Sequence, residues 1–154
     1  MYRLSVEHRL LKDPSSVADN ITRHIRDYQV YGRMAVVAQS PDDLLGEIKK
    51  SWNALKRETR REIDQTTNAN RKARLINELA YMPQCTFTSA PPIEESYEKV
   101  QVATVEQFLE WPPQCQVVFV TYPVSNAQLH QVTAWMPPYG LVVIYDFEQK
   151  ELTP

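Results

Sequence analysis

The sequence predicts an α/β domain, a three-layer sandwich in which a mostly parallel sheet of about six strands carries helices on both faces. Three observations lead there. Short apolar runs alternate with amphipathic helical stretches through most of the 154 residues. The runs at 117–120 and 141–145 are apolar throughout, as strands buried on both faces are. Three helix starts follow strands almost directly, as they do in consecutive βα units.

The elements follow in order. Tyr2, Leu4 and Val6 alternate with Arg3, Ser5 and Glu7, which reads as a half-exposed strand near a sheet edge. Asp13 and Pro14 suit a helix cap and first helical position, and Val17, Ile21, Ile25 and Tyr28 share one face of the helix that follows. Gly32 closes this unit, and residues 34–38 form the second strand.

Ser40-Pro41-Asp42-Asp43 then gives the clearest helix start in the chain. Ser40 is placed to cap, Pro41 needs no N–H, and the two aspartates complement the positive helix end. Leu44, Leu45, Ile48, Trp52, Leu55, Thr59 and Ile63 recur at helical spacing. Residues 66–70, Thr-Thr-Asn-Ala-Asn, have low helix propensity, so the excursion from about 41 to 82 is one long helix with a weak point or a helical hairpin. Ala69, Ala73, Ile76 and Ala80 continue its apolar stripe up to Met82 and Pro83.

Residues 85–89 read as a short strand, followed by Ala90-Pro91-Pro92 and an acidic loop at Glu94 and Glu95. Val100 and Val102 mark another strand. Thr104 with Gln107, and Ser125 with Gln128, have capping-box spacing. The first box opens a short helix that stops at Trp111-Pro112-Pro113. The second opens a helix with Leu129, Val132, Trp135 and Met136 on its apolar face and Pro137-Pro138 at its end. Strand 141–145 is the last, and the tail from 148 is expected to fray. The whole reads as a single Rossmann-like domain over 1–154, with a long basic helix or hairpin after the second strand.

The totals limit the function. Fifteen of the 17 basic residues lie in 1–74, which carries a net charge of +5, whereas 75–154 carries −7. Such a split can mark a binding surface. The longest apolar runs are far short of the roughly 20 residues that span a bilayer. Two cysteines and no export signal point to the cytoplasm.

Phosphate-binding signatures do not occur. Gly32, Gly46 and Gly140 are the only glycines and form neither G-x-G-x-x-G nor G-x-x-x-x-G-K-[ST]. His8, His24 and His130 have no metal-ligand spacing, so no metal or cofactor is expected, and His24 is placed on a polar flank of its helix. Cys85 and Cys115 begin strands and read as small buried residues rather than nucleophiles. The carboxyl ends of the strands offer Ser40, Thr121, Tyr122, Ser125, Asn126 and Asp146, which suit a small ligand or nucleotide, although Ser40 and Ser125 are already explained as caps.

The positive signal is the helix surface between 49 and 74, with nine basic residues and three acids. Lys49, Lys56, Arg57, Arg60 and Arg61 fall outside the apolar arc, and Arg71, Lys72 and Arg74 follow. Lys56 with Arg60, and Arg57 with Arg61, are like-charge pairs four residues apart, each costing a few tenths of a kcal/mol in an isolated helix. An acidic surface relieves that cost. The expected function is therefore a non-catalytic interaction or regulatory module of a larger assembly, docking through the basic helix 49–74 and the acidic C-terminal half, with a protein partner or self-association. Nucleic acid bound through its phosphates is the second reading, and a small-ligand domain using the strand ends is the third.

Overall fold

The computed structural model describes residues 4–11, 16–28, 33–89, 99–110, 115–121 and 123–147. The sequence-based assignments at Tyr2, Asp13-Pro14, Gly32, 90–95, 111–113, Tyr122 and the tail from 148 lie outside these residues.

Six strands form one sheet. They are β1 (Ser5–Leu11), β2 (Met34–Val37), β3 (Thr86–Thr88), β4 (Lys99–Ala103), β5 (Val117–Thr121) and β6 (Leu141–Phe147). Their order is β1-β6-β5-β2-β4-β3, and every pair is parallel. The helices are α1 (Val17–Tyr28), α2 (Pro41–Gln65), α3 (Ala69–Tyr81), α4 (Val105–Leu109) and α5 (Asn126–Trp135). The fold is thus the three-layer α/β arrangement the sequence predicts, with an entirely parallel sheet.

The two faces of the central strands feed separate cores. Val36, Val117, Phe119, Val143 and Tyr145 point to the first face, where Ile21 and Ile25 of α1 and Ile48, Trp52 and Leu55 of α2 cover them. Ala35, Val37, Val118, Val120 and Val142 point to the second, under Val105 and Phe108 of α4 and Val132 of α5. This two-sided burial is why β5 shows no polar alternation: all five of its residues are buried. Trp52 anchors the first core, donating its indole N–H to the Met82 carbonyl at 3.0 Å and meeting Phe87 edge to face.

The connections β1–α1–β2 and β2–α2–α3–β3 step one way across the sheet over the first face. The connections β4–α4–β5 and β5–α5–β6 step back over the second. These four crossovers therefore share one hand. Chain leaving neighbouring β2 and β5 departs toward opposite faces, which makes their carboxyl ends the topological switch point of the sheet.

The 41–82 excursion is a hairpin of two helices. Thr66 is extended at φ −79°, ψ 136°, and the Asn68 side chain caps α3 by accepting from the Arg71 N–H at 3.1 Å. At about 1.5 Å per residue α2 is nearly 40 Å long, against little more than 13 Å for β2. Running back along the sheet, it overshoots the strands, and its buried residues end at Thr59.

The α3 stripe is a correction. Ala69, Ala73, Ile76 and Ala80 are exposed, Ile76 by 48%. The residue buried instead is Leu75, with Leu79 packed against the core and Met82 beyond it. The competing stripe carries the larger side chains, and burying leucine and methionine removes more apolar surface from water than burying alanine.

Candidate functional site

Two shallow clefts flank the switch point. The first, about 190 Å³, lies between the ends of β2 and β4 and the start of α5, lined by Gln39, Thr104, Glu106, Val124 and Gln128 among others. The second, about 170 Å³, crosses the ends of β5, β6 and β1, with His8, Asn126 and Asp146 above Val120, Leu129 and Ile144.

In the first cleft Thr104, Glu106 and Gln128 are committed to structure. Thr104 Oγ1 accepts from the Gln107 N–H at 3.2 Å, and Gln107 Oε1 accepts from the Thr104 N–H at 3.0 Å. Ser125 and Gln128 form the same reciprocal pair at 3.1 Å in both directions. Gln128 Nε2 also donates to Glu106 Oε1 at 3.4 Å, tying α5 to α4 across the first cleft. Thr121 is buried and donates to the Val37 carbonyl at 3.4 Å, so its hydroxyl joins β5 to β2 rather than facing a ligand. Asn126 and Asp146 are exposed.

Ser40 departs from the expected cap. Its backbone sits at φ −120°, ψ 75°, and its exposed side chain makes no capping hydrogen bond. Asp42 and Asp43 stand in the first turn of the helix it precedes, and Glu106 stands in the first turn of α4. These carboxylates compensate the helix dipoles and oppose an anion at the strand ends. No group of three or more His, Cys, Asp or Glu side chains able to hold a metal gathers among the described residues.

His24 is likewise placed differently from the polar flank expected of it. It is half-buried against the sheet, stacked on Phe119 with ring centroids 6.1 Å apart, and its Nδ1 is hydrogen-bonded to the Tyr145 hydroxyl. The signal available in the sequence was its spacing from Ile21 and Ile25, which puts position 24 at the margin of the buried face. Neither cysteine is in a disulfide; Cys115 is buried and Cys85 half-buried. Burial pushes the Cys115 pKa up to about 12.

The basic residues form the other candidate surface. Lys49, Lys50, Arg57, Arg60, Arg61, Arg71, Lys72 and Arg74 are exposed, and Lys56 is partly so. By helical spacing Lys49, Lys56 and Arg60 make one row along α2, and Lys50, Arg57 and Arg61 a second. Arg71 pairs with Glu62 at 3.4 Å and Arg74 with Glu78 at 3.7 Å. Arg23 takes Glu58 at 2.8 Å. Two of the acids interleaved with the bases, Glu58 and Glu62, are thereby engaged elsewhere. No ion pair joins either α2 row to a carboxylate among the described residues. Tyr81 is 52% exposed at the end of α3.

No helix among the described residues is long and apolar enough to cross a membrane. No protein-family model matches the chain, and no curated protein matches it either.

Proposed function

We propose that the protein is a non-catalytic docking module of a larger assembly, and that its α2–α3 hairpin receives an acidic surface of a protein partner. The observation that carries this reading is the exposed stripe Ala69, Ala73, Ile76 and Ala80, set on the same hairpin as two basic rows that no ion pair engages among the described residues. An apolar centre with a charged border is the anatomy of a protein interface. The spacing of four, three and four residues suits a partner helix, and the alanines let it approach closely. The partner's carboxylates relieve the like-charge pairs Lys56/Arg60 and Arg57/Arg61.

The strand-end clefts support a ligand less well, since in the first the Thr104 hydroxyl closes a capping box, and each carries a carboxylate, Glu106 in the first and Asp146 in the second. Nucleic acid shares the basic rows but has no use for the apolar stripe.

Two variants separate the readings. One reverses charge at Lys56, Arg57, Arg60 and Arg61; the other is Ile76→Asp. Partner capture from extract of the source cells is compared with fluorescence anisotropy of labelled DNA and RNA over a salt titration. Docking of a protein predicts that both variants lose the same captured partner. Steeply salt-dependent nucleic-acid binding that survives Ile76→Asp and vanishes on charge reversal replaces it with the phosphate reading.

A further inference from the structure

The two edges of the sheet differ. β3 closes one edge with three residues, short enough to offer little to another strand. β1 closes the other with seven, and its charged side chains, Glu7 and Arg9, are of opposite sign. It has no proline and no lysine, and it leaves Val6 44% and Leu10 64% exposed.

The hydrogen-bonding direction along β1 is fixed by its pairing with β6. The Ser5 N–H donates to the Gly140 carbonyl at 3.0 Å, so Ser5, Glu7, Arg9 and Leu11 spend their backbone groups on β6. Backbone groups alternate sides along a strand, so those of Val6, His8 and Leu10 point out of the sheet edge. Side chains alternate between faces. Glu7 and Arg9 share the face of Val143 and Tyr145; Val6, His8 and Leu10 share that of Val142 and Ile144.

We propose that β1 is a two-fold interface, on which a second copy of this chain adds its own β1 antiparallel to make a continuous sheet. The sequence of β1 is complementary to itself in one register. A two-fold axis normal to the sheet pairs residues that lie on the same face. Centred on His8, it sets Val6 against Leu10 of the second copy and Glu7 against Arg9. Val6, His8 and Leu10 then exchange both backbone hydrogen bonds with Leu10, His8 and Val6 of that copy. Glu7 and Arg9 fall at the closer, non-hydrogen-bonded positions, where cross-strand pairs interact most. Shifting the axis to position 7 opposes two glutamates, and shifting it to position 9 opposes two arginines. Within one copy Glu7 and Arg9 already pair at 3.4 Å, so the dimer alternates their charges across the axis. This surface is distinct from the α2–α3 hairpin and stands or falls separately from the docking function proposed for it.

The test is sedimentation over a concentration series, with β1 variants whose side chains are exposed and whose folding is checked by circular dichroism. The unmodified chain is expected to dimerise. Glu7→Arg alone and Arg9→Glu alone each place like charges opposite one another twice, and each is expected to weaken the dimer at least about tenfold. The double exchange Glu7→Arg/Arg9→Glu is expected to restore it. Under mild oxidation His8→Cys is expected to form an intermolecular disulfide, because two residues on the axis lie about 5.5 Å apart at Cα. Leu10→Cys, opposite Val6, is expected to form none. A chain that stays monomeric at its highest soluble concentration overturns the proposal. So does a dimer that both single exchanges leave intact, or one in which His8→Cys does not cross-link.

Discussion

His24 of α1 and Tyr145 of β6 share a hydrogen bond between the imidazole Nδ1 and the phenol hydroxyl, beneath a helix that otherwise offers the sheet aliphatic side chains. Tyr145 is completely buried, and a buried phenol needs such a partner. Burial lowers the His24 pKa below its ordinary 6.5; Arg9 acts in the same direction, while Glu7 and Asp27 oppose it. The unfolded chain therefore takes up a proton at a higher pH than the folded one. The His24 contribution to stability is complete above about pH 6.5 and is lost as the pH falls toward the lower folded value. Urea unfolding of the parent and of His24→Gln between about pH 7.5 and 5.5 checks this: the parent should lose more of its midpoint on acidification than the variant.

Arg26 lies where α1, α2 and α3 meet. Its Nη1 donates to Thr59 Oγ1 at 3.1 Å, and its Nε is 3.5 Å from Glu78 Oε2. The two side chains are only 12% and 15% exposed. Desolvation raises the Glu78 pKa above its ordinary value despite Arg26 and Arg74, whose charges lower it. Arg26→Met leaves the carboxylate buried without its main counter-charge and should cost about 2–4 kcal/mol. A raised folded pKa means that acidification favours the folded state, so this loss should shrink as the pH falls through the folded pKa of Glu78. Denaturant titrations of parent and variant at neutral and acidic pH measure both effects.

Ser40, Thr104 and Ser125, each directly before a helix, should not behave alike. Thr104→Ala and Ser125→Ala each break a closed capping box and should cost about 1 kcal/mol. Ser40→Ala removes no capping bond and should change stability by no more than a few tenths of a kcal/mol. Thermal unfolding of the three variants decides the ranking. A large loss at Ser40 would show that its hydroxyl caps α2 after all.

Cys115 donates a weak hydrogen bond to the Met136 sulfur at 3.9 Å inside the second core. With its pKa pushed up to about 12, its thiol stays protonated at neutral pH. In native protein at about pH 8 an aromatic disulfide reagent should leave Cys115 unmodified and react first at half-buried Cys85. Adding denaturant should expose the second thiol, and the absorbance change counts both.

The sheet was legible because its pattern has one cause. β5 and β6 are apolar in every position of their central stretch, and only a strand covered on both faces calls for that. The capping boxes were legible because they are local chemistry over four residues. The orientation of α3 was not. Its helical period admits two stripes, through Ile76 or through Leu75, and the choice rests on contacts with α2 and the core that no local window contains. The Ser40 cap failed for a backbone reason, a ψ of 75° that residue type does not encode. His24 stood beside an apolar face in sequence, but its partner lies 121 residues away. The basic rows were readable from periodicity alone, since spacing fixes which side chains share a helix face. That Glu58 and Glu62 pair with Arg23 and Arg71 rather than with these rows was not readable, because it depends on where the two carboxylates turn.

The pairing of β1 with β6 also orders events during synthesis. Ser5 finds its register partner at Leu141, near the other end of the chain. While the ribosome is still making the intervening residues, β2, β4 and β5 can associate as a nucleus, but the first strand to emerge has no neighbour to join. It must wait, solvent-exposed, until the last strand arrives. A stalled or shortened product therefore lacks more than its final strand: it also strands the first one, leaving Val6 and Leu10 on a loose segment for quality-control machinery to find.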